Sequence, residues 1–205
     1  MANHVILEFG HGHDGAGKYD LGHVVPFVGT ELDLIDSYGI ALQEGLENQR
    51  IRITPLQTRK KPGLSEIERC EGVGKDYFVI SLHMGTSQQK IVKQRGCVFT
   101  AAKHMNPFAV IAAQVIERWG KSTTPHFEGV TVGAAKTPLL ESSKNAVLLE
   151  PFCMDGSDAV LLAARLPRLG EMLADELGAY IAVAHKGAQA PVNIAPERRI
   201  LAKRA

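Results

Sequence analysis

Four residues of this chain combine reactive side chains with a placement that could do chemistry: His11, Glu31, His83 and Glu150. His83 closes the apolar run Tyr77-Phe78-Val79-Ile80-Ser81-Leu82, where an imidazole at a strand exit points into the crevice at the sheet edge. The run Val5-Ile6-Leu7-Glu8-Phe9 opens into Gly10-His11-Gly12-His13, and Ala146-Val147-Leu148-Leu149 ends on Glu150. In a parallel sheet, side chains at the carboxyl ends of several strands meet in one cleft, the usual place for a ligand. Two histidines and an acid suit zinc, which in catalytic sites takes three protein ligands and leaves a fourth position open. Such a site makes water a nucleophile near neutral pH, and a free carboxylate beside it can carry the proton to a leaving amine. His11, Glu31 and His83 can be the ligands and Glu150 the acid–base group. Spacing alone does not decide this, since positions 11, 31 and 83 form no local motif. A strand-end histidine also serves as a structural hydrogen bonder, Glu31 as a helix-start acid, and the glycine-flanked His11 as part of an anion-binding loop.

The elements that must position these residues are legible in outline. After the first strand, residues 10–30 read as a polar loop rich in glycine and histidine. Ile35, Tyr38, Leu42 and Leu46 recur at helical spacing and predict a helix over Glu31–Asn48, so that Glu31 opens it. Residues 50–56 read as a second strand, and Ser65 with Glu68 predicts a short capped helix over 65–71. The strand into His83 follows, then a polar loop and a strand over 96–100. Asn106-Pro107 is an N-cap with proline at the first helical position. The helix it opens carries Ile111, Val115 and Trp119 inward and is expected to stop at Gly120. Short strands are expected over 130–132 and 146–149. A helical tract interrupted at Pro167 then turns Leu169, Leu173, Leu177 and Tyr180 or Ile181 inward. Alternating strands and helices predict an α/β fold, a mostly parallel twisted sheet flanked by helices on both faces, in a single domain.

Bulk properties narrow the classes. At 205 residues, with 45% apolar and 22% charged side chains, the chain is globular and long enough for one core. A net charge of +1 offers no general attraction for nucleic acid, and no stretch reaches the ~18 apolar residues of a membrane span. The start, Met-Ala-Asn-His-Val-Ile-Leu, reads as a strand and not a signal peptide, so synthesis in the cytoplasm is expected. Cys70, Cys97 and Cys153 are odd in number and lack CxxC spacing, which argues against a disulfide framework. Cys153 reads as a small packed thiol and not a nucleophile, and His23, His104 and His126 as solvated loop histidines, with a place in the cleft lining as the alternative for any of them. The tail over 185–205 carries Lys186, Arg198, Arg199, Lys203 and Arg204 against one acid, Glu197. It reads as a solvated terminus, with attraction to an anionic envelope as the sharper alternative.

Several of these segments together resemble a known family. Phe9-Gly10-His11-Gly12-His13-Asp14-Gly15 resembles the PGHGG-x-DPG opening of the zinc-dependent N-acetylmuramoyl-L-alanine amidases of type 3, found in bacterial wall-remodelling enzymes and phage endolysins. Leu56-Gln57-Thr58-Arg59 resembles the "LTR" that follows their second strand, and Arg69 falls where they carry an arginine. Val79-Ile80-Ser81-Leu82-His83 resembles "FISIH", and Val147-Leu148-Leu149-Glu150-Pro151-Phe152 resembles "VLVE-x-GF". The resemblance covers roughly residues 4–183 and implies a catalytic domain over 1–184 followed by the basic tail. It implies zinc on His11, Glu31 and His83, Glu150 as catalytic acid, and peptidoglycan as substrate. The amide between N-acetylmuramic acid and L-alanine of the stem peptide would be hydrolysed, as in host-cell lysis by an endolysin acting on the wall after release. The chain departs from the pattern at Phe9, at His13, at Met84-Gly85-Thr86 and at the tighter Pro151-Phe152. His13 is the other histidine that could ligate; register favours His11. A zinc peptidase cutting within the stem peptide and a non-catalytic wall-binding module are the alternative readings.

Overall fold

A computed structural model describes residues 4–13, 19–57, 73, 77–86, 94–101 and 106–185. The expected helix over 65–71, Arg69, Cys70, Thr58-Arg59, His104 and the tail from 186 onward lie outside these residues. In chain order the elements are β1 (His4–Phe9), β2 (Gly12–His13), β3 (Tyr19–Asp20), β4 (Val24–Val25), β5 (Gly29–Thr30) and α1 (Glu31–Asn48). Then come β6 (Arg52–Gln57), β7 (Phe78–Leu82), β8 (Gln94–Thr100), α2 (Pro107–Thr123), β9 (Phe127–Ala134) and α3 (Pro138–Ser142). The last are β10 (Asn145–Glu150), α4 (Ala159–Ala163) and α5 (Leu166–His185).

Six strands form one sheet in the order β6-β1-β7-β10-β8-β9. The first four run parallel; β8 turns against β10, and β9 follows β8. Both faces of the central strands are covered, so they read as apolar runs and still alternate by side. Val5, Leu7, Phe9, Phe78, Ile80, Leu82, Val147 and Leu149 join the main core with α1, α2 and α5. Ile6, Val79 and Ala146 face the other way, onto Leu139 and Leu140 of α3. The expected fold class is therefore the observed one, and each fully buried Leu, Ile or Phe of this core contributes about 1.5–3 kcal/mol. Pro55 sits in β6, an edge strand, where a missing N–H is tolerated.

Helix α1 spans the expected residues, and Ile35, Tyr38, Leu42 and Leu46 are fully buried. Thr30 caps it by accepting from the Asp33 amide. The next free amides are taken from outside the helix: Glu31 N–H donates to His23 O (2.8 Å) and Leu32 N–H to Leu21 O (3.2 Å). These bonds draw the 21–23 segment over the helix start.

Some expectations need correction. The stretch over 10–30 is not simply loop; it holds two small antiparallel ribbons, β2–β3 and β4–β5. Helix α2 does not stop at Gly120 but runs to Thr123, because Gly120 serves as a packing notch. A Cβ there would meet the Phe127 ring at 2.5 Å. Strand β9 is eight residues long, not three. Helix α3, with its Thr137 cap and Pro138, went unanticipated. The break in the last helical tract falls at Ala164-Arg165, and Pro167 lies inside the first turn of α5, where proline is tolerated.

Candidate metal centre

The parallel register sets the site. β1, β7 and β10 are neighbours, and their carboxyl ends deliver His11, His83 and Glu150 to one edge of the sheet, with Glu31 arriving on the first turn of α1. The strand exits are fastened together: Gly10 N–H donates to Leu82 O (3.0 Å), His83 N–H to Leu149 O (2.9 Å) and Gly85 N–H to Phe152 O (3.1 Å). Gly10 has no substitute here, since a Cβ would lie 2.5 Å from His83 Cε1 and 2.6 Å from Leu82 O. His11 itself sits in the left-handed region at φ 65, a strained conformation that puts its ring over Glu31. Gly22 (φ +67) closes the far side, where a Cβ would come within 2.7 Å of Glu31 Oε2 and 2.9 Å of His11 Cδ2.

Glu31 is the hub and is 1% exposed. Its Oε1 lies 3.0 Å from His11 Nε2 and 3.5 Å from His83 Nδ1, and accepts from the Met84 amide at 2.9 Å. Oε2 accepts from the His23 amide (3.1 Å) and meets His23 Nδ1 at 3.0 Å. Burial pushes the Glu31 carboxyl upward, but the bonds from His11, His83, Met84 and His23 outweigh it and hold it well below the usual carboxylate range. His11 Nδ1 is 2.9 Å from Asp20 Oδ2. The hydrogen bond to Glu31 raises His11 to about 9, burial opposing and Asp20 adding to the rise. Asp20 is lowered in turn, chiefly by its bond to His11.

Donor chemistry and spacing both fit a zinc ion. Ligand atoms of His11, Glu31 and His83 lie within 4.8 Å of one another, the one such cluster among the described residues. Zinc–ligand bonds of 2.0–2.1 Å put tetrahedral neighbours roughly 3.3 Å apart, and the 3.0 and 3.5 Å contacts of Glu31 Oε1 bracket that separation. Asp20 occupies Nδ1 of His11 and so leaves Nε2 to face inward, the carboxylate–histidine arrangement that orients metal ligands.

Glu150 ends β10 beside this cluster, and its Oε2 would be 3.3 Å from a Cβ on Gly85. Burial raises its pKa, with His83 and His23 pulling it down and Glu31 adding to the rise. The expected four residues are thus brought to one place. Cys153 lies near Glu150 as a packed thiol: its Sγ is 3.8 Å from Arg95 O, and burial raises its pKa. His13 falls in β2, but its side chain lies outside the described residues.

Two residues of the site escaped sequence reading. His23 is an exposed loop histidine, as expected, but it also grips Glu31 through backbone and ring, and its Nε2 lies 3.3 Å from Thr86 Oγ1. Glu8, 4% exposed in β1, accepts from Ser81 Oγ, and its Oε2 is 3.9 Å from His83 Nε2. Glu8 left a signal, since it and Ser81 interrupt two apolar strands and are register partners.

No protein-family model matches the chain, and no curated protein sequence does. Solved structures do match over most of its length. The CwlD amidase of Clostridioides difficile, solved with the GerS lipoprotein, superposes at a TM-score of 0.68 with 15% identity, over 90% of this chain and 99% of that one. The catalytic domain of CwlV, an N-acetylmuramoyl-L-alanine amidase of Bacillus (Paenibacillus) polymyxa, gives 0.64 and 14% over 91% and 99%. The catalytic domain of the CD27L endolysin, which targets Clostridia difficile, gives 0.62 and 18% over 88% and 97%. The chain has the fold of N-acetylmuramoyl-L-alanine amidase catalytic domains.

Proposed function

We propose that this chain is a zinc-dependent N-acetylmuramoyl-L-alanine amidase, a peptidoglycan hydrolase that cuts the amide between N-acetylmuramic acid and the L-alanine of the stem peptide. One observation carries the reading: His11, Glu31 and His83 converge beside Glu150 in a chain with the amidase fold. Zinc, when bound, supplies Lewis acidity toward the amide carbonyl and lowers the pKa of water. His11 Nε2, Glu31 Oε1 and His83 Nδ1 would hold it. Asp20 keeps the His11 ring in the orientation that presents Nε2, and Glu8 stands behind His83 on its other nitrogen.

Glu150 moves the proton. As carboxylate it takes one from the water that attacks the lactyl carbonyl carbon. As carboxylic acid it gives that proton to the alanine nitrogen while the C–N bond breaks. The products are a lactyl carboxylate and a free L-alanine amine. The raised pKa of Glu150 suits both halves, because a carboxyl poised nearer neutral pH accepts and returns a proton readily.

The likeness to an endolysin catalytic domain supports the finer reading of a lytic enzyme acting on the host wall from within. Among the described residues no helix is long and apolar enough to cross a membrane. The test is chemical. Digestion of purified peptidoglycan should expose new L-alanine amino termini, stop with chelator and resume with zinc. A new terminus elsewhere in the stem peptide would make the enzyme a peptidase, and no new terminus at all would leave a wall-binding module.

A further inference from the structure

The two oxygens of Glu31 face different company. Oε1 looks toward His11, His83 and the Met84 amide, whereas Oε2 is taken by the amide and the ring of His23. A carboxylate free to use both oxygens on a metal would fill the position that a catalytic site leaves for water. We propose that His23 is a positioning residue that sequesters Glu31 Oε2, so that Glu31 binds a metal through Oε1 alone and a fourth position stays open.

The geometry supports each part of this. Oε2, a carboxylate oxygen, accepts from His23 Nδ1 at 3.0 Å, and the other ring nitrogen, Nε2, lies 3.3 Å from the Thr86 hydroxyl. The ring is thereby clamped between the start of α1 and the loop just beyond His83. Its backbone is clamped as well: His23 N–H donates to Oε2, and His23 O accepts from the Glu31 amide at 2.8 Å. Residue 23 therefore holds both the main chain and the side chain of one candidate ligand. The 23 side chain is 58% exposed, so its removal opens no cavity in the core.

The proposal rests on the zinc reading, and the experiment separates the two. Zinc affinity is measured by competition with a chromophoric chelator, and cobalt(II) is substituted to report coordination number through its visible absorption. His23→Ala should weaken zinc binding about tenfold to a hundredfold, the usual effect of losing a hydrogen-bond partner of a ligand. It should also dim the cobalt absorption as Glu31 turns bidentate. His23→Asn, whose amide nitrogen can replace Nδ1, should restore both. Thr86→Val keeps the bond to Glu31 and loosens only the ring, so it should fall between. The melting temperature of the metal-free variants controls for folding. His23→Ala with wild-type affinity and cobalt spectrum overturns the proposal. So does a loss that His23→Asn does not repair, which would make His23 itself a ligand. A wild-type chain that binds neither metal overturns the zinc reading along with it.

Discussion

Zinc binding should compete with a proton on His11, and the size of the effect follows from the site. With no ion bound, His11 is a cation bridging Asp20 and Glu31, its pKa raised from 6.5 to about 9 first by the bond to Glu31. Holding a metal needs the Nε2 lone pair, so that proton must leave. At pH 7.5 the distance to about 9 is about 1.5 units, which makes the apparent affinity about thirtyfold weaker than its high-pH limit. Between pH 6.5 and 8.5 affinity should rise about tenfold per unit, ~100-fold in all, and flatten above about 9. Chelator competition across this window measures the slope. Calorimetry at pH 7.5 in two buffers of different ionisation enthalpy should find close to one proton released per zinc. Asp20→Asn separates two effects: it should move the break in the curve down toward 6.5, and still cost about 10–100-fold at high pH, where protonation no longer matters. A flat affinity from pH 6.5 to 8.5 with no proton released would refute the reasoning, because His11 would then be either neutral without metal or no ligand.

Three further outcomes are expected. Glu150→Gln should lower turnover about 10²–10⁴-fold while zinc affinity stays unchanged, and in the wild type the acid limb of the pH–rate profile should be displaced upward from that of an ordinary glutamate. Turnover that survives the substitution would remove Glu150 from the mechanism. Gly10→Ala must displace the His83 ring or the Leu82 carbonyl, so it should cost about 1–3 kcal/mol of stability and most of the zinc affinity; zinc binding as tight as wild type would show that the ring has room to move. For the metal-free protein, the raised pKa of His11 stabilises the fold fully below 6.5, and that contribution is lost as pH rises through about 9. The lowered pKa of Glu31 stabilises above 4.5 and is lost as pH falls. The melting temperature should therefore drop between pH 6.5 and 9 without zinc and hold or rise with it; parallel curves would contradict the His11–Glu31 pairing.

What could be read in advance was whatever local patterning governs. Helix α1 was legible because Ile35, Tyr38, Leu42 and Leu46 mark one face. The strands ending at Phe9, Leu82 and Glu150 were legible because each is an apolar run that stops at a polar, reactive residue. Taking the sheet as parallel brought His11, His83 and Glu150 to one edge with Glu31 as a candidate at the start of α1, and the amidase-like motifs singled out the set. His23 was not legible, since its role depends on residues 21–23 folding back to cap α1, a tertiary relation without a spacing signature. The end of α2 was misplaced for a related reason: Gly120 reads as a stop in sequence, yet the Phe127 ring lying against it makes it a contact. The ribbons β2–β3 and β4–β5 were hidden because two-residue strands carry no periodicity to find.

The order of the strands also has a consequence for how the site is put together. β10, made after the other five, is inserted between β7 and β8, in the interior of the sheet. In the finished sheet Asn145–Glu150 is the strand that joins β6-β1-β7 to β8-β9. The first ribbon, with α1, owns all three candidate metal ligands, whereas the candidate catalyst Glu150 travels on the strand that completes the sheet. β10 thus completes the site as well as the sheet: it brings Glu150 and, through Leu149 O, fastens the backbone that presents His83.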